Sequence, residues 1–561
     1  MLLCLIAPSS LFAEISPERI LDGISILAHD SLEGRKVGSA SEIKAASYIR
    51  RQFSSIGLDP AGTNGSWYQP LEFTERIDIG KENSLVVDGQ KYILEDDFRP
   101  LKNSLNGSFK FDQLVYVGYG IEQDSMEHHD YERKDVEGKA VLIKRFAPDD
   151  DPHGPYANHA SLDSKIAEAL KRGAKGVFFF TPEGEDEDMP ALRRRRVSEK
   201  DIPIIFLKRT IFNQDRPTPE ALAQSEFSGN VDLIRRKNTG INVLGTVKGG
   251  KVGADERYVV IGAHFDHLGY GGKGSGSLYA GSDRLIHNGA DDNASGTVGV
   301  IELARHFKSR QNDLDYSLLF ITFTGEESGL LGSNYFVKNP TIDIEKVSLM
   351  INMDMIGRLE REEKGLGVFG VGTSPAFSKY FNAYDTLSDF KLNTKKSGIG
   401  PSDHTAFYNA GIPVLHFFTG SHQDYHKPSD DIEKIDAEAE AEVLEFIAEL
   451  VDRFANGKDK LEFSKTKDDA PGASPRFTVT LGVMPDYLTE VKGLRLDGVT
   501  EGKPAGIAGL LAGDVIVQMG GYTIDDIYAY MTALSRFRKG DSTSVIVERE
   551  GKRIKYPIHF K

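Results

Sequence analysis

Cysteine and long apolar segments are scarce in this chain. Cys4 is the only cysteine in 561 residues, so no internal disulfide can form and the fold is not a disulfide scaffold. No apolar run is long enough to cross a bilayer as a helix. Basic residues are outnumbered, with 68 Lys and Arg against 84 Asp and Glu and a formal net charge of −16. This acidic balance argues against nucleic acid or an anionic membrane surface as a partner, because both require basic surface.

Several common catalytic templates are also missing. The sequence contains neither an HExxH segment nor a GxSxG segment, which argues against a helix-borne zinc site and against a nucleophile elbow. The segment GTVKGGKV, residues 245–252, resembles a P-loop only superficially, because no Ser or Thr follows its Gly-Lys pair. What remains is a soluble, globular composition of 39% hydrophobic and 27% charged residues.

The first residues are typical of an export signal. Met1–Ala13, MLLCLIAPSSLFA, is an apolar stretch that ends in small residues, as a signal peptide does before its cleavage site. A short buried segment is the alternative interpretation. Lipid attachment at Cys4 is disfavoured, because Leu3 is larger than the small residue expected there. We therefore predict an exported protein, either periplasmic or extracellular.

The chain length predicts roughly three or four domains, and changes in sequence pattern indicate where they meet. A polar stretch suits a linker, and a segment with short apolar runs and one helical pattern suits a small α/β insert. The predicted parts are a leader (1–13), a first core segment (14–112), an insert (113–235), a second core segment (236–456), a linker (457–475) and a β-rich tail (476–561).

The second core segment alternates strand and helix patterns. This alternation predicts an α/β fold with a doubly wound, mostly parallel sheet and helices on both faces. The predicted strands are Tyr258–Ala263, Ser317–Thr322, Val347–Met353, Leu366–Gly370 and Pro413–Phe417, and the predicted helices are Ala294–Lys308, Pro375–Leu387 and Asp436–Phe454.

Metal-ligand residue types follow three of these strands. His264 and Asp266 come after the first, Glu326 and Glu327 after the second, Asp354 after the third, and Asp291 and Asp292 precede a helix. In open α/β sheets ligands bind beyond the carboxyl ends of the strands, so these side chains should share one crevice. Clustered carboxylates repel one another unless a cation neutralises them. Imidazole with carboxylate suits Zn²⁺, with Mn²⁺ or Co²⁺ as alternatives.

Six segments, taken in their order along the chain, resemble a known family. They are GAHFDHLG, NGADDNASG, TGEESGLLGS, NMDMIG, GPSDHTAFYNAGIP and DYHKPSDD. Together they closely resemble the co-catalytic di-zinc aminopeptidases, a family that also includes the glutamate carboxypeptidase and transferrin-receptor group. The N-terminal stretch LAHDSLEGRKVGSASEIKAASYIRRQF is similar to the opening helices of that family.

The resemblance implies a role for each matching residue. One zinc ion would be held by His264 and Asp354, the other by Glu327 and His426, and Asp292 would bridge the two ions. Asp266 would hold the His264 ring through its second nitrogen. Glu326 would be the general base that serves a hydroxide between the ions and passes its proton to the leaving amine.

Other residues of the matching segments receive weaker assignments. Tyr425 would donate a hydrogen bond to the oxyanion, with an ordinary core tyrosine as the alternative. Asp403 and His404 would lie near the substrate. Four further histidines are interpreted as lying outside the metal site: His267, His287, His416 and His422.

The insert and the tail carry resemblances of their own. The insert is similar to a protease-associated domain, which implies a lid or a role in substrate access. The tail, with VTLGVMPD and GVTEGKPAGIAGLLAGDVIVQMGG, resembles a PDZ domain. Leu481, Gly482 and Val483 would then form the loop that receives the carboxylate of a peptide, which adds as a strand beside it. The alternative is a PDZ-like domain that only packs on the peptidase.

These resemblances imply an exported metallopeptidase with two Zn²⁺ ions per chain. We predict an aminopeptidase that removes N-terminal residues from peptides. A carboxypeptidase or dipeptidase on the same site is the nearer alternative, and a non-catalytic peptide-binding protein is the more distant one. The expected partners are peptide substrates and a protein C-terminus at the tail.

Overall fold

The computed structural model describes most of the chain. The described residues are 13–149, 156, 159–185, 187–190, 192, 200–251, 256–272, 274–362, 364–384, 390–456, 461–466, 479–486, 491–500 and 502–560. The predicted leader lies almost entirely outside them, as does most of the predicted linker. Among the described residues, no helix combines the length and the apolar character needed to cross a membrane.

Two helices and two strands open the chain. They are α1 (Pro17–Leu27), α2 (Ala40–Ile56), β1 (Asp59–Pro60) and β2 (Tyr68–Ile79). The Ser16 side chain accepts a hydrogen bond from the Arg19 N–H and caps α1, as its sequence pattern predicts. Helix α2 ends at Gly57, whose φ of 87° is a left-handed conformation that glycine adopts without strain.

A second compact unit spans Thr74–Asn238. Its helices are α3 (Leu162–Lys171) and α4 (Pro219–Ala223), and its strands are β3 (Ser84–Val87), β4 (Gln90–Tyr92), β5 (Phe98–Pro100), β6 (Gly107–Phe111), β7 (Leu114–Tyr116), β8 (Glu122–Gln123), β9 (His128–His129), β10 (Ala140–Lys144), β11 (Gly176–Phe180), β12 (Ile204–Leu207) and β13 (Phe227–Val231). One sheet has the order β5-β12-β11-β10-β7 and another the order β4-β3-β13-β6.

This unit begins earlier than the insert predicted for 113–235. The reason is strand pairing, because β5 is antiparallel to β12, and β3 and β6 are both antiparallel to β13. Residues on the N-terminal side of position 113 therefore complete sheets whose other strands follow it. A sequence pattern read segment by segment does not contain these long-range pairings.

The central sheet carries the elements that the alternating pattern predicts. Its later strands are β14 (Leu233–Val247), β15 (Tyr258–His264), β16 (Ser317–Phe323), β17 (Val347–Met353), β18 (Gly365–Phe369), β19 (Lys391–Lys395) and β20 (Val414–Phe418). The helices are α5 (Gly296–Ser309), α6 (Leu331–Lys338), α7 (Pro375–Tyr384), α8 (His404–Asn409) and α9 (Ala437–Ala455). The end of the predicted helix Pro375–Leu387 lies outside the described residues.

The nine strands have the order β1-β14-β16-β15-β17-β20-β18-β19, with β2 paired to β14. The middle of the sheet is parallel, since β16, β15, β17 and β20 run in one direction. Strands β14 and β18 are antiparallel to their neighbours β16 and β20. The prediction of a mostly parallel α/β sheet is confirmed.

Apolar cores cover both faces of this sheet. One core contains residues of α1, α2, α5 and α9, and the other contains residues of α6 and α8. Strands β15, β16 and β17 are buried almost throughout, as expected for parallel strands with helices on both sides. The carboxyl ends of these three strands therefore emerge together at one edge of a rigid layer.

The tail forms a separate antiparallel sheet. Its elements are β21 (Val483–Pro485), β22 (Leu494–Val499), α10 (Pro504–Ala508), β23 (Val515–Met519), β24 (Tyr522–Thr523), α11 (Ile527–Leu534), β25 (Ser542–Arg549) and β26 (Lys552–His559). The strand order is β21-β22-β23-β25-β26, and an apolar core of its own supports it. The prediction of a β-rich C-terminal domain is confirmed.

Candidate metal centre and active site

Five separate segments bring the predicted ligands to one edge of the central sheet. His264 ends β15, and Glu327 and Asp354 lie in the loops after β16 and β17. Asp292 lies in the irregular helical turn before α5, and His426 lies in the loop after β20. Parallel strands place their carboxyl ends at a common edge, which is why residues so far apart in sequence meet.

The first cluster contains His264, Asp292 and Asp354. The Nε2 atom of His264 lies 3.4 Å from Asp292 Oδ1 and 3.3 Å from Asp354 Oδ1. The ligand atoms of the three residues lie within 4.8 Å of one another, which is close enough to hold one metal ion. The His264 Nδ1–H donates to the backbone carbonyl of Asp266 at 3.1 Å, so Nε2 is free to act as a ligand.

The second cluster contains Asp292, Glu327 and two imidazoles. His426 Nε2 lies 3.1 Å from Asp292 Oδ2 and 3.3 Å from Glu327 Oε2. His267 Nδ1 lies 2.8 Å from Glu327 Oε1, and His267, Asp292 and Glu327 form the second group that could hold a metal ion. The two oxygens of Asp292 therefore face different clusters.

A glycine-rich loop positions His426. The Nδ1–H of this ring donates to the backbone carbonyl of Gly276 at 3.0 Å, and the His426 carbonyl accepts from the Leu278 N–H. The backbone of His426 is left-handed, with a φ of 55°. Residues other than glycine keep this conformation where the surrounding structure holds them in it. These contacts direct Nε2 toward Asp292 and Glu327.

The donor set fits two divalent cations. Within the described part of the chain, Asp292 Oδ2, Glu327 Oε1 and both ring nitrogens of His267 are buried without a hydrogen-bond partner. Buried polar atoms without partners are costly, and a cation between them would remove that cost. Nitrogen and carboxylate oxygen are ligands of Zn²⁺.

The electrostatics of the carboxylates separate the two adjacent glutamates. Burial alone would raise the pKa of Glu327, but His426 and His267 lower it to about 2. Burial raises the pKa of Glu326 well above its ordinary value, and repulsion from Glu327 adds to the rise. Glu327 is thus an ionised group among imidazoles, whereas Glu326 has a high proton affinity, as a proton carrier requires.

The sequence predicts that the Asp266 carboxylate holds the His264 ring, but in the structure the backbone carbonyl of Asp266 does so. Its Oδ1 accepts the Glu326 backbone N–H at 3.0 Å and stands 3.8 Å from His264 Nδ1, which donates to the Asp266 backbone carbonyl instead. The Asp266 side chain therefore fixes the loop that carries both glutamates, while its backbone orients the His264 ring.

Tyr425 and the pair Asp403–His404 occupy different surroundings. The Tyr425 ring stacks on that of His426 with centroids 3.9 Å apart, and burial beside Asp292 and Glu327 raises the pKa of Tyr425 well above its ordinary value. Its hydroxyl therefore stays protonated. Asp403 is buried, which raises its pKa to about 6. His404 is fully buried and stacks on the ring of His416, so it packs in the interior.

The neighbours Asp291 and His422 form a separate contact. Asp291 Oδ1 accepts the Gly357 N–H at 2.8 Å, and Asp291 Oδ2 lies 3.1 Å from His422 Nε2. The other ring nitrogen of His422 lies 2.9 Å from Arg358 Nη1. Asp291 therefore contacts Gly357 and His422, whereas Asp292 contacts His264 and His426 of the two clusters.

Comparison with known proteins agrees with this arrangement. Residues 242–451, which contain every predicted metal ligand, match the model of peptidase family M28, and residues 476–559 match that of the PDZ domain. The chain contains an M28 peptidase domain. It carries a PDZ domain at the end of the described chain.

Individual relatives of this M28 peptidase are distant. Aminopeptidase YwaD of Bacillus subtilis is 26% identical over 73% of the chain and 78% of its own length. Leupeptin-inactivating enzyme 1 of Streptomyces exfoliatus is 34% identical, over 29% of the chain and 37% of its own length. Among solved structures, a zinc aminopeptidase from Bacillus subtilis is 23% identical and covers 82% of this chain and 100% of its own, with a TM-score of 0.44.

Two residues next to the clusters are not among the site residues that the sequence predicts. The sequence predicts His267 to lie outside the metal site, whereas its ring contacts Glu327. The sequence feature that could have indicated His267 is its position three residues after His264, in the loop that follows β15. The second is Arg35, whose buried guanidinium donates to the backbone carbonyls of Leu27, Phe265, Asn288 and Gly289. It joins the loop after β15 to the turn that carries Asp292.

Proposed function

We propose that the chain is a zinc-dependent aminopeptidase that hydrolyses the N-terminal peptide bond of peptides. The observation that carries this proposal is the position of Asp292, whose two carboxylate oxygens face separate ligand clusters. His264 and Asp354 would hold one zinc ion, Glu327 and His426 the other, and Asp292 both. When bound, such a pair polarises the scissile carbonyl and increases the acidity of water.

Glu326 would carry the proton. It would take a proton from the attacking water as the oxygen bonds to the carbonyl carbon, and would deliver it to the amide nitrogen as the C–N bond breaks. Its high proton affinity in this buried site suits both halves of that transfer. The Tyr425 hydroxyl, which stays protonated, would donate to the oxyanion that develops on the carbonyl oxygen.

The charges around the site favour a free amine over a free carboxylate as the recognised end. Asp403 is a buried carboxylate near His264 and Asp354, and a substrate ammonium would complement it. Neither Arg35 nor Arg358 is available to bind a substrate carboxylate. Arg35 donates to four backbone carbonyls, and Arg358 pairs with Asp424 at 2.9 Å. The name of the Bacillus subtilis relative agrees with this choice.

An assay on aminoacyl-para-nitroanilides tests the proposal. We expect release of nitroaniline that ortho-phenanthroline abolishes, that its non-chelating meta isomer leaves unchanged, and that zinc restores. N-acetylated substrates should not be cleaved, because their amine is blocked. Cleavage confined to peptides with a free carboxylate would identify a carboxypeptidase, and no chelator-sensitive cleavage of any peptide would reject the enzyme.

The PDZ domain would bind a peptide with a free C-terminus. Strand β21 lies at the edge of its sheet, paired to β22, and an edge strand can accept a further strand. The preceding residues are already held by hydrogen bonds, because the carbonyls of Leu481 and Gly482 accept from Ala505 and Thr500. Their loop is thus set in place before any peptide binds.

Gly482 gives a specific test of this loop. Its φ is 77°, and a Cβ added there would lie 2.2 Å from the Lys503 Cβ. We expect Gly482→Ala to abolish the anisotropy change of a short N-terminally labelled peptide with a free carboxylate, without slowing nitroanilide cleavage. Gly513→Ala is the matched control, since Gly513 has a similar φ of 86° but open space around it. Equal binding to the C-terminal amide would contradict the proposal.

The unit Thr74–Asn238 would be a protease-associated domain. Its support is the sequence resemblance together with a sheet in which β7, β10, β11 and β12 are parallel. Export of the chain remains a prediction from its first residues.

A further inference from the structure

One imidazole of the ligand clusters has no assigned role. The His267 side chain is 0% exposed, and its Nδ1 lies 2.8 Å from Glu327 Oε1 and 3.8 Å from Asp292 Oδ2. Its ring also packs edge-on against that of His426, with centroids 5.8 Å apart. His267 therefore faces the other three members of the second cluster, Asp292, Glu327 and His426.

The contact between His267 and Glu327 is not a hydrogen bond. Although the two atoms are close, His267 Nδ1 and Glu327 Oε1 are both without a hydrogen-bond partner among the described residues. A hydrogen bond requires the donor to point at the acceptor. Ligands of one ion instead point at a common centre, and the ligand atoms of His267, Asp292 and Glu327 lie within 4.8 Å of one another.

A neighbouring histidine shows the alternative arrangement. His287 is also buried, but both of its ring nitrogens have partners, since Nε2 lies 2.7 Å from Ser277 Oγ and Nδ1 lies 3.0 Å from the Leu285 carbonyl oxygen. Such a ring is held by the protein itself. His267 lacks such contacts, and it faces two acidic groups.

We propose that His267 is a ligand of the metal ion held by Asp292, Glu327 and His426. The inference rests on the proposed two-metal site and goes beyond it. One ion would have four protein ligands, two imidazoles and two carboxylates, while the other would have His264, Asp292 and Asp354. Four protein ligands are typical of closed zinc sites, and three of sites that keep a position open. The ion beside His267 is therefore the more tightly held of the two.

Metal retention in His267→Gln tests the inference. We expect purified wild-type protein to retain the zinc ion beside Glu327 at a chelator concentration that removes this ion from the variant. The loss of affinity should exceed the roughly 10- to 100-fold that removal of an outer-shell partner costs. His287→Gln is the matched control and should retain this ion as the wild type does. Equal retention by His267→Gln and wild type would overturn the inference.

Zinc X-ray absorption of the wild-type protein gives a second measurement that does not depend on a variant. The scattering from imidazole rings should correspond to three histidines for two zinc ions. Two histidines would overturn the role of His267 and leave the proposed function intact. A wild-type protein that binds fewer than two ions would instead reject the two-metal site itself.

Discussion

Replacement of Glu326 by Gln should lower kcat by about 10²- to 10⁴-fold, the range that general acid–base catalysis contributes. Glutamine keeps the shape of the side chain but cannot accept and return a proton. The zinc content should stay unchanged, because Glu326 belongs to neither ligand cluster. Parallel measurement of kcat, KM and bound zinc in the purified variant checks this expectation.

The matched control is Glu345→Gln, which alters an exposed glutamate before β17 and should leave kcat unchanged. The same measurements decide which of the adjacent Glu326 and Glu327 is the general base and which is the metal ligand. If Glu326→Gln emptied the site, the roles of Glu326 and Glu327 would be reversed. If it kept wild-type turnover, some other group would carry the proton.

Replacement of Asp292 by Ala should remove both zinc ions and abolish activity. Each ion loses a ligand in this variant, since Oδ1 faces His264 and Oδ2 faces His426. Two buried clusters of ligands then lose the carboxylate between them. Metal analysis after dialysis, together with nitroanilide cleavage at saturating substrate, measures both effects.

The neighbour Asp291 provides the control for this variant. Its carboxylate bonds the Gly357 N–H and lies beside His422, so Asp291→Asn should retain both ions. A protein that lost its zinc on the change at Asp291 but kept it on the change at Asp292 would contradict the assignment of the bridging residue.

The strands and helices around the site were largely predictable from sequence, because buried parallel strands are continuous apolar runs. Val347–Met353 has the bounds that the pattern predicts. The start of the second unit at Thr74 was not predictable, since it depends on pairing between strands far apart in the chain.

The candidate site also contains residues that the sequence predicts and residues that it does not. The five proposed ligands and Glu326 could be chosen because their motifs match a family residue by residue. The resemblance does not indicate His267, since it transfers only the positions that the family shares. Arg35 acts through backbone carbonyls, and no side-chain pattern indicates such partners. The division of Asp266 between its backbone and its carboxylate likewise depends on interatomic distances.

Anomalous diffraction at the zinc absorption edge, from crystals of the purified protein, directly tests whether two zinc ions share Asp292. We expect two zinc peaks per chain, both in contact with Asp292, one beside His264 and Asp354 and the other beside Glu327 and His426. A single peak, or two peaks of which Asp292 contacts only one, would contradict the assignment of Asp292 as the residue that bridges two zinc ions.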